Sequence, residues 1–141
     1  AEMQPHFENT ITLNENETDQ YGIPLVKIDC KFKQNELRMK EDIKLRSVEI
    51  LKRMNLKNIE FYDSNNVPGQ TIHEMGTARM GNNPNESVVN KFNKLHDVEN
   101  IFVADGSCMV SSGCVNPSLT YMALAARAAN HCANLIKNNQ L

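Results

Sequence analysis

At 141 residues the chain is long enough for one modest domain with a core of its own, and its 40% hydrophobic and 23% charged residues are ordinary for a globular protein. A formal net charge of −2 gives no reason to expect nucleic acid or a lipid surface as a partner. No apolar run is long enough to form a membrane segment, and the first residues lack the basic-then-apolar order of a signal peptide.

In chain order, Asn9 to Leu13 alternates polar and apolar residues and reads as a strand, followed by a solvated acidic turn over Asn14 to Asp19. Ile23 to Phe32 reads as a second strand, paired antiparallel with the first, with Pro24 tolerated at its start. Asn35 can cap a helix running to about Met54, because Met39, Ile43, Ile50, Leu51 and Met54 recur at helical spacing. Lys57 to Tyr62 is a short strand candidate. Asp63 to Gln70 and Gly81 to Glu86 are loops. Ile101 to Ala104 is a short apolar run that suits a strand buried on both faces.

The last element, Pro117 to Lys137, is the clearest helix. Pro117 fits a first helical turn, and Leu119, Met122, Ala126, Ala129, Ala133 and Ile136 recur at steps of three and four. Arg127 is the only charge in its middle, so most of the circumference is expected to be buried. Asn138 to Leu141 reads as a frayed tail.

Cys30, Cys108, Cys114 and Cys132 form no C-x-x-C pair, which argues against a zinc knuckle. They read as buried free thiols, with a Cys108–Cys114 loop disulfide as the weaker alternative. No two of the six glycines make a G-x-G, so the dinucleotide-binding fingerprint is missing.

Two short motifs carry the chemistry. His73 opens His73-Glu74-Met75-Gly76-Thr77-Ala78-Arg79-Met80-Gly81. Loop sequence before it and Gly76 after it suit a side chain presented into a cleft, where histidine is the default base. The plain alternative is a structural histidine bonded to backbone. Asn116 lies in Ser111-Ser112-Gly113-Cys114-Val115-Asn116-Pro117-Ser118-Leu119-Thr120, at the mouth of the last helix. Its side chain could simply cap that helix. Alternatively its amide could orient a substrate hydroxyl, although an amide cannot take the proton. Between the motifs, Asp105-Gly106 reads as a strand-ending turn. Arg79 could bind an anion, but is expected rather to hold its loop through a structural salt bridge. His6, His96 and His131 lack motif context and read as ordinary surface or interface residues.

The order of these motifs resembles the C-terminal region of the glucose–methanol–choline (GMC) oxidoreductases, and nearly the whole chain is similar to bacterial sugar and polyol dehydrogenases. The match is most specific over Thr71 to Lys137. The resemblance implies an α+β piece of a longer enzyme that uses FAD to oxidise an alcohol or sugar. Residues 1–80 would belong mainly to the substrate domain, and residues 81–141 would return to the FAD-binding domain. It implies that His73 is the catalytic base and Asn116 its partner; some branches carry a second histidine at the latter position, and Asn116 places this chain in the other branch. It also implies that Asp105 and Gly106 approach the FAD, and that the helix start at Asn116, Pro117 and Ser118 stabilises the reduced flavin. The missing fingerprint then belongs to an N-terminal FAD-binding domain outside this sequence. The electron acceptor is not implied, and the isolated piece is expected to be inactive and prone to self-association. The rival reading is a small non-catalytic α+β binding module in which His73 and Asn116 are structural.

Overall fold

A computed structural model describes residues 2–63, 67–69 and 72–141. The chain forms two compact units, Ala1–Thr71 and Ile72–Leu141, so the whole His73 motif lies in the same unit as Asn116.

In the first unit β1 (Thr10–Thr18) pairs antiparallel with β2 (Pro24–Asp29), in a register running from Thr10 opposite Asp29 to Asn14 opposite Leu25. The first strand is longer than its apolar alternation predicts. The acidic run is not a turn; it continues β1 through an irregularity between Asn14 and Thr18. The turn falls after it, because the residues there have turn chemistry. Asp19 Oδ1 accepts from the Tyr21 and Ile23 N–H groups (2.8 and 3.0 Å), and Gly22 takes a φ of +80°. The ribbon is exposed along nearly its whole length, Ile11, Leu13, Val26 and Ile28 included.

Helix α1 (Gln34–Arg53) is capped at Lys33, two residues earlier than the Asn35 cap predicts. Glu36 decides this. Its Oε2 accepts from the Lys33 N–H (3.0 Å), which is the carboxylate half of a capping box. The same carboxylate accepts from the Gln4 N–H (3.2 Å) and meets His6 Nε2 (2.9 Å), fastening the N-terminal segment to the helix start. Burial by itself would raise the Glu36 carboxyl. The bonds from His6 and from the Gln4, Glu36 and Lys33 backbone outweigh it and lower the group to about 2. A depressed carboxylate stabilises the fold above its unfolded value and loses that contribution as pH falls through its folded value. We therefore expect acid unfolding of this unit to be steep between pH 4.5 and about 2. Glu36→Gln should flatten that limb and lower the thermal midpoint at neutral pH, and a midpoint series against pH checks both.

The helix ends in a left-handed Asn55 (φ 58°), with Leu56 N–H bonded to Leu51 O and Asn55 N–H to Lys52 O. Asn58 is left-handed too (φ 56°), and Lys57 to Tyr62 is not a strand as expected. The left-handed Asn58 interrupts the run near its start. Of the Asp63–Gln70 loop, residues 64–66 and 70 lie outside the described residues. Pro68-Gly69 makes a turn, with Gly69 at φ +83°.

The second unit is built on single bridges. Met80 pairs with Val89, Val89 with Leu95, and Lys94 with Phe102. Val89, Asn93 and Cys108 are fully buried in it, and Ala128 of α2 (Ser118–Lys137) is nearly so. The expected two-faced strand at Ile101–Ala104 reduces to one bridge at Phe102, and Ile101 is 48% exposed. The run cannot extend because Asp105 begins a 3-10 turn over Gly106–Cys108.

Helix α2 forms where predicted but packs on a different face. Tyr121, Leu124, Ala125, Ala128, His131, Cys132 and Leu135 turn inward. The stripe read from the sequence is exposed, with Leu119 80%, Met122 63% and Ile136 60% accessible. A helix apolar nearly all round has two usable faces, and one of them is bare here. His131 accordingly belongs to the packed face, stacked on Phe92 (centroids 4.0 Å) and edge-on to Phe102 (6.4 Å). The expected frayed tail is a fixed helix end. Asn139 is left-handed (φ 52°), and Gln140 N–H bonds Leu135 O (2.9 Å). No disulfide joins the four cysteines. Cys108 is buried, Cys30 and Cys132 half-buried, and Cys114 exposed, so the reading as buried thiols fits only Cys108 fully.

Candidate active site

The residues after His73 run beside the 3-10 turn and the segment that follows it. Ala78 N–H donates to Ser107 O (3.0 Å) and Met80 N–H to Cys108 O (2.8 Å). Gly76 has a φ of +88°, and a Cβ there would stand 3.1 Å from Val110 O, so this position needs glycine twice over. His73 itself is half-buried at the start of this run.

Gly106 is where the motifs meet. A Cβ at this position would stand 2.8 Å from Met75 Sδ and 3.4 Å from Tyr121 Cδ1. Met75 comes from the histidine motif and Tyr121 from the first turn of α2. The close approach that Gly106 permits within the chain is therefore that of Met75. Asp105 turns its carboxylate into its own turn, accepting from Ser107 N–H (2.8 Å) and Ser107 Oγ (2.5 Å). The Ser107 hydroxyl, then its N–H, hold that carboxyl below the usual range.

Asn116 is exposed. The capping position of α2 is Pro117, which is buried, and no side chain caps the helix. Asn116 thus does not serve as the side-chain cap that its position allows. In the first turn Ser118 Oγ bonds Tyr121 Oη (2.9 Å).

Arg79 holds its loop, but by a hydrogen bond from Nε to Glu86 O (2.8 Å) rather than by a salt bridge. His96 is also part of the framework. Its Nε2 lies 2.9 Å from Ser87 Oγ, which donates to Asn83 O (2.7 Å). One residue escapes the sequence reading altogether. Asn93 is fully buried and left-handed (φ 63°), with Nδ2 donating to Val103 O (2.9 Å) and Oδ1 facing Arg127 (3.4 Å). Burial raises the Cys108 thiol, partly offset by its bond with the Asn93 side chain. The available signal was that asparagine favours tight turns and tolerates left-handed ones, as Asn90 and Asn93 show around Lys91-Phe92.

Among the described residues no group of three His, Cys, Asp or Glu side chains could hold a metal ion, and no helix is long and apolar enough to cross a membrane.

The fold and site define an α+β domain in which a histidine loop, a glycine turn and a helix start converge without a nucleotide-binding fingerprint of their own. The chain belongs to the GMC oxidoreductase family: the family model described as "GMC oxidoreductase" matches residues 5–125. It is 36% identical over 134 residues to a 2-methyl-1,2-propanediol dehydrogenase of Mycolicibacterium austroafricanum, covering 93% of this chain and 24% of that protein. It is 33% identical over 140 residues to the fructose dehydrogenase large subunit of Gluconobacter japonicus, covering 96% of the chain and 24% of the relative. A paromamine 6'-oxidase of Streptomyces fradiae is 31% identical over 129 residues, covering 92% and 24% respectively. The chain thus spans about a quarter of the length of these curated relatives. The relatives are dehydrogenases and oxidases, and the family is one of flavoenzymes that oxidise alcohols and sugars.

Proposed function

We propose that this chain supplies the catalytic residues of an FAD-dependent oxidoreductase that oxidises the CH–OH group of an alcohol or sugar. The observation that carries the reading is the convergence at Gly106 of the loop that begins with His73 and the helix that begins after Asn116. The residues fit a flavin by their chemistry. The start of α2 has no side-chain cap, and such an end favours the negative charge of a reduced ring. Asn116, Pro117 and Ser118 would lie against the ring, and the backbone at Asp105 and Gly106 near the rest of the FAD. When bound, the flavin supplies the two-electron acceptor for the carbinol hydride.

His73 takes the hydroxyl proton. Asn116 has no titratable group in the working range, so its amide holds the hydroxyl oxygen by hydrogen bonds and stays neutral. The division of labour is one base and one orienting group. Residues 1–80 would contribute mainly to the substrate domain, and residues 81–141 to the FAD-binding domain. The bare apolar face of α2 supports this, since Leu119, Met122 and Ile136 need a cover that this unit does not supply. The names of the relatives favour a polyol or sugar as substrate.

The test is the visible spectrum of the complete protein that carries this chain. Bound flavin absorption is expected, bleaching anaerobically on addition of polyols or sugars. The 141-residue chain alone should bind none. A complete protein that holds no flavin would overturn the reading.

A further inference from the structure

Arg127 is the one charge on α2 between Ser118 and Asn130, and its terminal nitrogen meets no carboxylate among the described residues' ion pairs. It lies 3.4 Å from Asn93 Oδ1 and 3.7 Å from Met80 Sδ. Neither acceptor is free to follow it. Asn93 is fully buried, with its amide nitrogen bonded to Val103 O and its backbone carbonyl accepting from the Val103 N–H (2.8 Å). The Met80 backbone is fixed through its N–H on Cys108 O and its bridge to Val89. The other inward residues of α2 include Tyr121 at Gly106, Ala128, and His131 on its two phenylalanines, apolar and aromatic surfaces that tolerate sliding more readily. Directional hydrogen bonds do not.

We propose that Arg127 is a positioning residue. By engaging Asn93 and Met80 together, it sets the position of α2 along its axis, and with it Asn116, against the loop that carries His73. Asn116 lies about 16 Å from Arg127 at 1.5 Å per residue, so the guanidinium acts through the helix and touches nothing that reacts. The effect is large because a misplacement of about 1 Å at a reacting centre costs up to about 10²-fold in rate. The inference rests on the assignment of His73 and Asn116 to the reaction.

The test uses the complete flavoprotein. Arg127→Ala should lower the limiting rate of flavin reduction by about 10- to 100-fold, with flavin content intact and half-saturation by substrate within about twofold. Methylguanidinium ion at millimolar concentration should restore a large part of that rate, and Arg127→Lys should be intermediate, since one ammonium can engage Asn93 but lacks the planar fork. If the alanine variant does not accumulate folded, the lysine variant with the same measurements replaces it. A residue that merely props the fold would lower flavin content or thermal midpoint while leaving the rate per bound flavin unchanged, and that result overturns the proposal. So does a lost rate that methylguanidinium cannot recover. His73→Ala measured alongside separates the two ideas. A slow His73 variant beside a normal Arg127 variant sinks positioning alone, and a normal His73 variant sinks the base assignment and with it the reading on which positioning rests.

Discussion

In the complete flavoprotein, His73→Ala is expected to slow flavin reduction by about 10²–10⁴-fold, the usual contribution of a positioned base. Asn116→Ala should cost less, because it removes orientation and leaves the proton acceptor in place. The asymmetry follows from chemistry and not from position, since an amide can bond the hydroxyl but cannot take its proton. Flavin should stay bound in both variants. His73 begins a run whose remaining residues are fixed by backbone bonds to Ser107 and Cys108, so its removal leaves that run anchored. Asn116 is exposed and caps nothing, so its removal should leave α2 intact. Stopped-flow reduction under saturating substrate separates the two cases. A wild-type rate without His73 would rule out the base assignment, and equal losses in the two variants would rule out the division of roles.

The two motifs were legible in the sequence because each combines a chemically able side chain with glycine or proline at fixed offsets. Gly76 sits at φ +88° against Val110 O, and Pro117 at the start of α2, so the punctuation marked real backbone constraints. The hairpin and both helices were legible from periodicity for the same reason. What was not legible is which apolar surface meets which. On α2 the sequence offers Leu119, Met122 and Ile136 on one side and Tyr121, Ala128 and Leu135 on the other, and hydropathy cannot choose between two apolar faces. The packed face carries His131, whose stacking partner Phe92 comes from a turn with no periodicity at all. The start of α1 was misplaced for a related reason. Asn35 is a good cap by type, but Glu36 gathers Lys33, Gln4 and His6, and two of those partners are remote in sequence. Ile101–Ala104 looked like a buried strand because a short apolar run carries no information about how many neighbours it will find.

Asn93 is expected to show the largest stability effect in the second unit. Asn93→Ala should cost about 2–4 kcal/mol locally, from two sources that can be separated. The left-handed backbone (φ 63°) costs alanine about 1–2 kcal/mol that asparagine partly avoids. The lost amide leaves Val103 O without that donor and Arg127 with Met80 Sδ alone, which costs about 1–3 kcal/mol where water does not enter. Asn93→Gly keeps the second loss and relieves the first, so it should fall short of the alanine variant by about 1 kcal/mol. The Val103 N–H, bonded to Asn93 O, is a local reporter, since its hydrogen exchange tracks opening of this turn even inside a larger protein. Exchange should accelerate about 30- to 1,000-fold in the alanine variant and less in the glycine one. Equal acceleration in both would mean that the backbone is unstrained and the side-chain bonds carry everything. Unchanged exchange in both would show that the turn holds without Asn93, and the clasp from Arg127 would then have no fixed point to grip.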